Sequence, residues 1–142
     1  WARAWQKFDT SMKGYAAIAN SAKLRRRFDL GNSYPYFDML KAQRENRVDS
    51  WAIQWYLSTF LADGLTLFPR RSLVQHTGVD GSGTHCGKAD ITDQLHADFQ
   101  IQRFPTNIEC NDAFFAQVTA YLRSQQPPAK QSIMTRLRKW LS

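Results

Sequence analysis

Residues 48–64 read VDSWAIQWYLSTFLADG, and they carry the most informative pattern in the chain. Asp49 or Ser50 can cap a first helical turn, because a side-chain oxygen there accepts a hydrogen bond from a free N–H group. Asp63-Gly64 provides a stop, with Gly64 free to adopt the left-handed conformation. A helix that is apolar on most sides is usually buried. We therefore predict a buried helix with two apolar faces, one formed by Trp51, Ala52, Trp55, Tyr56 and Phe60 and the other by Ile53, Leu57 and Leu61.

Helical spacing of apolar residues also precedes and follows this segment. It covers residues 1–8, a second stretch from Gly14 to about Gly31, and a third helix for which Ser33 is the predicted N-cap and which ends near residues 44–47. Later, Asn111 is a predicted cap for a helix running from Asp112 to about Arg123, and a last helix is predicted from about Lys130. The chain is therefore predicted to be mostly helical.

Short strands are predicted at residues 65–68, 72–76 and 99–104, where apolar residues cluster or alternate with polar ones. Residues 77–87 lack either period and contain four of the seven glycines, which is typical of a loop with many free backbone N–H groups.

The composition is that of a globular protein, and its charge is uneven. The 142 residues are 43% hydrophobic, and no stretch approaches the ~18 apolar residues of a membrane span. The net charge is +7. Residues 121–142 contain five basic residues and no acidic residue, so this segment accounts for most of it. The cluster Arg25-Arg26-Arg27 is either a binding patch or a solvated helix face. Cys86 and Cys110 are interpreted as free thiols of a reducing compartment, with a single bridge between them as the alternative.

Six segments together resemble the C-terminal half of bacterial family 2-like glycosyltransferases with the GT-A fold. That resemblance implies an α/β fold, here the mostly helical C-terminal portion with a few short strands, which is α+β when taken as a fragment. It divides the chain into residues 1–124, the acceptor-side part, and residues 125–142, a basic amphipathic tail. The segments are WARAWQKFD (1–9), VDSWAIQW (48–55), GLTLFP (64–69), LVQ (73–75), DGSGTHC (80–86) and FPTNIE (104–109).

The resemblance places Asp49 where such enzymes keep an acceptor-side carboxylate, which is the general base in inverting members. A hydroxyl that attacks a sugar carbon must lose its proton, and a carboxylate can take it. Partial burial beside Trp51 is expected to raise the pKa of Asp49. The alternative is that Asp49 only caps the helix. Trp51 is the candidate for stacking on the acceptor, although most aromatic residues of this helix are expected in the core.

The glycine-rich segment resembles the loop that closes over the donor diphosphate. Backbone amides with the Ser82 and Thr84 hydroxyls would bind phosphate oxygens. His85 would ligate a metal ion or donate a hydrogen bond to the diphosphate, and His76 is the alternative functional histidine. Arg70 and Arg71 are a further candidate diphosphate or acceptor contact, with surface charge at a turn as the alternative. The implied donor-binding set is Gly81, Ser82, Gly83, Thr84 and His85.

The resemblance also implies a nucleotide-binding half that this sequence lacks. That half would carry an Asp-x-Asp motif for Mn²⁺ or Mg²⁺, and the chain contains no such motif. We therefore expect a fragment that is inactive alone, from a metal-dependent bacterial enzyme of cell-surface polysaccharide synthesis. Its partners would be a nucleotide-sugar donor and a glycan or lipid-linked acceptor.

The alternative function is a non-catalytic basic module that binds a membrane surface or nucleic acid. Residues 129–142 place apolar and basic side chains on opposite sides of a helix, which suits an anionic leaflet. No zinc-finger, helix-turn-helix or aromatic RNA-binding motif is present, so nucleic acid is disfavoured. The expected location is the cytoplasm, including the inner face of the membrane.

Overall fold

The computed structural model describes residues 2–74 and 98–126. The described residues form two compact units, one made of residues 2–65 and 109–126, the other of those between Thr66 and Ile108. The first unit contains the helices α1 (Ala2–Trp5), α2 (Tyr15–Ala19), α3 (Ala22–Phe28), α4 (Tyr36–Arg44), α5 (Trp51–Leu61) and α6 (Asp112–Ser124).

The core of the first unit is a small apolar cluster to which four helices contribute. Ile18 of α2, Phe28 of α3 and Leu40 of α4 are fully buried, and α5 adds Ile53 and Leu57. Removing one such side chain from water is worth about 1.5–3 kcal/mol, so these residues dominate the packing energy. A shell of partly buried residues surrounds them: Met12, Tyr15, Leu24, Tyr36, Phe37, Tyr56 and Phe60.

The predicted helix after Ser50 is confirmed, and its predicted burial holds for residues 53–60, all buried or half-buried, but is wrong at its two ends. Ile53 and Leu57 face the core, whereas Leu61 and Trp51 are exposed over 47% and 59% of their surface. The core side chains of α2, α3 and α4 pack against Ile53 and Leu57 of α5, and only the first two residues and the last residue of the helix are exposed.

The predicted helix from Gly14 to Gly31 is two helices, and its division has a local cause. The Ser21 hydroxyl accepts a hydrogen bond from the Leu24 N–H at 3.2 Å, which caps α3 and separates it from α2. Gly14 precedes α2 at a close approach to α5, since a methyl group there would lie 2.1 Å from Leu61 Cδ1.

The prediction that Ser33 caps the following helix is wrong. Ser33 is buried, and its hydroxyl donates to the Leu30 carbonyl at 2.7 Å. Helix α4 is capped from a distance by Asp29, whose Oδ1 accepts from the Phe37 N–H at 2.8 Å. Burial raises the pKa of the Asp29 carboxyl, and the Phe37 N–H opposes that shift.

Three helices end on a residue other than glycine in the left-handed conformation. These residues are Leu30 after α3, Asn46 after α4 and Asp63 after α5, with φ of 48°, 55° and 49°. After α5, the Asp63 N–H donates to the Phe60 carbonyl at 3.1 Å and the Gly64 N–H to the Thr59 carbonyl at 2.8 Å. This is the Schellman pattern, and the prediction that Gly64 takes the left-handed conformation is wrong.

We expect Asn46→Ala to lower the free energy of unfolding by about 1 kcal/mol, because a Cβ-bearing residue without a local hydrogen-bonding side chain is strained at positive φ. Asn46→Gly should leave stability within about 0.5 kcal/mol of the parent, since glycine adopts this conformation freely. Urea unfolding of both variants measures the difference. Equal stability of the alanine and glycine variants would contradict this account.

The end of α3 is joined to α5 by ring packing and a hydrogen bond. The Phe28 ring lies 4.6 Å from the Tyr56 ring and 5.1 Å from the Phe60 ring, measured between centroids. The Tyr56 hydroxyl donates to the Phe28 carbonyl at 2.7 Å. Since the last carbonyl groups of a helix lack partners within it, this contact satisfies one of them. Burial raises the pKa of Tyr56, so it stays neutral and able to donate.

Tyr56→Phe is expected to lower the free energy of unfolding by about 1 kcal/mol, because it removes this hydrogen bond and keeps the ring. Tyr36→Phe is the matched control. Its half-buried ring lies 4.8 Å from that of Tyr56, and its hydroxyl makes no hydrogen bond to a described residue. Urea unfolding should show a clearly smaller loss for the control. Equal losses for the two variants would refute the role of the Tyr56 hydroxyl.

The second unit and the end of the chain test fewer predictions. Residues 65–68, 72–74 and 99–104 form no strand in the structure, and residues 75 and 76 of the predicted strand 72–76 lie outside the described residues. Helix α6 is confirmed, including the cap in which Asn111 Oδ1 accepts from the Phe114 N–H at 2.9 Å.

The loop at 77–87, Cys86 and the helix from Lys130 lie outside the described residues, and Cys110 is an exposed free thiol. Among the helices of residues 2–74 and 98–126, none has the length and apolar character of a membrane span.

Candidate functional site

The N-terminal end of α5 exposes the two residues predicted to face an acceptor. Asp49 is exposed immediately before the helix, and Trp51 is exposed over 59% of its surface. The burial of Asp49 expected beside Trp51 is therefore absent. Ser50, rather than Asp49, is the N-cap residue, and its N–H donates to Gln43 Oε1 of α4 at 2.6 Å. The carboxylate of Asp49 is thus not used as the cap of α5 and is accessible to a ligand.

Trp51 belongs to a cluster of four aromatic rings, shared between α5 and the N-terminal segment of the chain. The Trp5 ring centroid lies 6.0 Å from that of Trp51, 5.2 Å from that of Trp55 and 4.7 Å from that of Phe8. The Phe8 and Trp55 centroids are 6.0 Å apart. We call this group, Trp5, Phe8, Trp51 and Trp55, the aromatic cluster.

Two hydrogen bonds hold the N-terminal segment on α5. The Asp9 N–H donates to Ser58 Oγ at 3.0 Å, and Gln54 Nε2 donates to the Thr10 carbonyl at 3.2 Å. Both connect residues more than forty positions apart in sequence. No sequence pattern assigns Trp5 to a site, because only the folded chain places it beside Trp51.

The Asp9 side chain organises the turn that makes this attachment. Its Oδ1 accepts from the Ser11 hydroxyl and the Ser11 N–H, and its Oδ2 accepts from the Lys13 N–H at 2.9 Å. These hydrogen bonds, the one from the Ser11 hydroxyl above all, hold the pKa of the Asp9 carboxyl below its ordinary value of 3.8.

Because the folded-state pKa is lowered, the ionised Asp9 stabilises the fold above the unfolded-state pKa, and this contribution is lost as pH falls through the folded-state pKa. We expect Asp9→Asn to be less stable than the parent at neutral pH. The difference between the two should shrink below about pH 4. Urea unfolding from about pH 3 to 7 measures it. A difference that is constant over this range would contradict the account, and Ser11→Ala should reduce the pH-dependent part.

The arginines of α3 pack on rings of neighbouring helices. The Arg25 guanidinium lies 5.0 Å from the Phe37 ring centroid and donates to the Ala19 carbonyl at 2.7 Å. The Arg27 guanidinium lies 5.0 Å from the Phe60 ring centroid and pairs with Asp63 at 2.6 Å. Arg25 and Arg27 are exposed, and the exposed Arg27–Asp63 ion pair adds little to stability.

The predicted donor-side residues are not among those that the structure describes. Gly81, Ser82, Gly83, Thr84, His85 and the alternative His76 all fall within residues 75–97. Within 2–74 and 98–126, no three His, Cys, Asp or Glu side chains come together in a group able to hold a metal ion. The predicted metal ligand His85, or His76, therefore stays a prediction.

Arg70 lies in the second unit, where it lines a groove of about 800 Å³. Phe68, Phe99, Phe104, Arg103 and Asp98 also line this groove, so its lining combines aromatic residues with two arginines and one carboxylate. Such a lining can take a ligand with an apolar part and polar groups.

Comparison of the chain with protein-family models, with curated proteins and with solved structures finds no match.

Proposed function

We propose that this chain is the acceptor-side part of a GT-A glycosyltransferase, which transfers a sugar from a nucleotide-diphosphate donor to a glycan or lipid-linked acceptor. The observation that carries the proposal is the shared exposure of Asp49 and Trp51 at the start of α5. Beside it stands the resemblance of six sequence segments to family 2-like enzymes.

In this proposal Asp49 acts as the general base. The incoming hydroxyl of the acceptor donates its proton to a carboxylate oxygen as its own oxygen bonds to the donor sugar carbon and the bond to the nucleoside diphosphate breaks. Ser50 and its hydrogen bond to Gln43 fix the backbone next to Asp49, which restricts where the carboxylate can reach. A bound divalent ion would stabilise the departing diphosphate, and its main ligands would come from the nucleotide-binding half.

The test is sugar transfer by the protein expressed from its complete reading frame, measured as nucleoside diphosphate released from a panel of UDP-, GDP- and dTDP-sugars. Asp49→Asn should lower the rate of transfer at least ~100-fold, because an amide cannot accept the proton. Asp112→Asn is the matched control, since it removes another exposed carboxylate next to a helix start and should leave the rate unchanged.

Two outcomes would overturn the proposal. If the Asp49→Asn variant still transfers the sugar at the parent rate, Asp49 is not the general base. If the folded protein with added Mn²⁺ or Mg²⁺ releases no nucleoside diphosphate from any donor, the protein is not a glycosyltransferase.

A further inference from the structure

The aromatic cluster leaves a large part of two indole rings open to solvent. Trp51 is exposed over 59% and Trp5 over 45% of its surface, whereas Trp55 and Phe8 are only partly exposed. Their packing against each other, rather than exposure alone, makes the two indoles one continuous apolar surface that a ligand can contact. Phe8 and Trp55 therefore support the cluster from inside, and Trp5 and Trp51 form its outer surface.

The outer surface is held in place before any ligand arrives. Trp51 lies in the first turn of α5, whose start is fixed by the Ser50–Gln43 hydrogen bond. Trp5 is followed by the turn at Asp9, which is bonded to Ser58 further along α5. Ordering these side chains on binding costs less entropy when they are already packed, which favours ligand affinity.

The geometry of the two indoles limits the shape of the ligand. Their planes meet at 65°, so a flat ligand can lie parallel to only one of them. The more exposed ring, Trp51, is then the stacking surface, and Trp5 contacts the edge of the ligand. This corner suits a single six-membered ring better than a long flat chain.

The polar groups around the cluster limit the chemistry of the ligand. Asp49 lies two residues before Trp51 in the sequence and offers carboxylate oxygens that accept hydrogen bonds from hydroxyl groups. Arg3 and Lys7, both exposed, flank Trp5 on the N-terminal segment and disfavour a cationic ligand. A pyranose has an apolar C–H face and a rim of hydroxyl groups, which matches an indole surface edged by charged groups.

We propose that Trp5 and Trp51 form the ring-stacking part of an acceptor subsite that binds one hexopyranose, neutral or anionic, with its hydroxyl groups toward Asp49. This inference rests on the proposed function and specifies it, because it assigns recognition to a sugar ring of the acceptor rather than to a lipid chain. It adds Trp5, a residue of the N-terminal segment, to the site.

The experiment is a titration of the chain, residues 1–142, with the methyl glycosides of glucose, galactose, mannose, N-acetylglucosamine and glucuronic acid. Indole N–H resonances are followed by two-dimensional NMR and assigned by single Trp→Phe substitutions. At least one glycoside should shift the resonances of Trp5 and Trp51 together. Trp51→Ala should weaken that binding about tenfold, which corresponds to about 1.4 kcal/mol.

The control variant is Tyr121→Ala, which removes a side chain with a similar exposed fraction, 63%, from α6. It should bind the glycoside as the parent does. Because Trp5→Ala could loosen the N-terminal segment, Trp5→Phe serves as a second variant: it keeps a ring and should weaken binding less than Trp5→Ala. Thermal unfolding of each variant shows that the comparison is made on folded protein.

Each outcome decides the inference separately from the proposed function. Binding that depends on Trp5 and Trp51, together with transfer that survives Asp49→Asn, would support the subsite and reject the general base. No shift with any glycoside would overturn the subsite even if transfer depends on Asp49. Shifts with phosphatidylcholine or phosphatidylglycerol vesicles, and none with glycosides, would show a lipid-binding surface and would also overturn it.

Discussion

The contact between the end of α3 and the middle of α5 is the constraint on which the other contacts of the first unit depend. Phe28 is fully buried, its ring is enclosed by Tyr56 and Phe60, and its carbonyl accepts the Tyr56 hydroxyl. Phe28 therefore packs against and accepts a hydrogen bond from the same face of α5. This attachment commits that face of α5 to the core, next to Ile53 and Leu57.

Because the face of α5 with Ile53 and Leu57 is buried in the core, the side that carries Trp51 is left for other contacts. The N-terminal segment covers part of it, through the bonds of Asp9 with Ser58 and of Thr10 with Gln54, and through the packing of Trp5 and Phe8. The start of the helix, with Asp49 and Trp51, remains exposed. The candidate site is thus the start of α5 with the preceding Asp49, where Trp51 contacts Trp5 of the N-terminal segment and stays largely exposed. Its proposed role in sugar transfer follows from that exposure and from the resemblance of the sequence.

Helix boundaries marked by polar residues are predicted well in α4, α5 and α6. Asn111 caps α6 as expected, and α5 and the end of α4 fall where their polar boundaries place them. The error at the start of α4 arose because Ser33 has a competing partner. Ser33 bonds to the Leu30 carbonyl instead of capping α4, and Asp29 provides that cap from eight residues away. Such choices depend on which groups are buried together, which local sequence patterns do not report.

The sequence by itself determined where α5 and α6 lie and where α4 ends, since apolar spacing and cap residues act within a few positions of one another. It also singled out Asp49 and Trp51, through the resemblance to family 2-like enzymes. Only the tertiary structure decided which side of α5 is buried and that Trp5 lies beside Trp51. A helix with apolar residues on two faces has the same sequence pattern whichever face is buried. Only the packing of distant segments removes one of those faces from water.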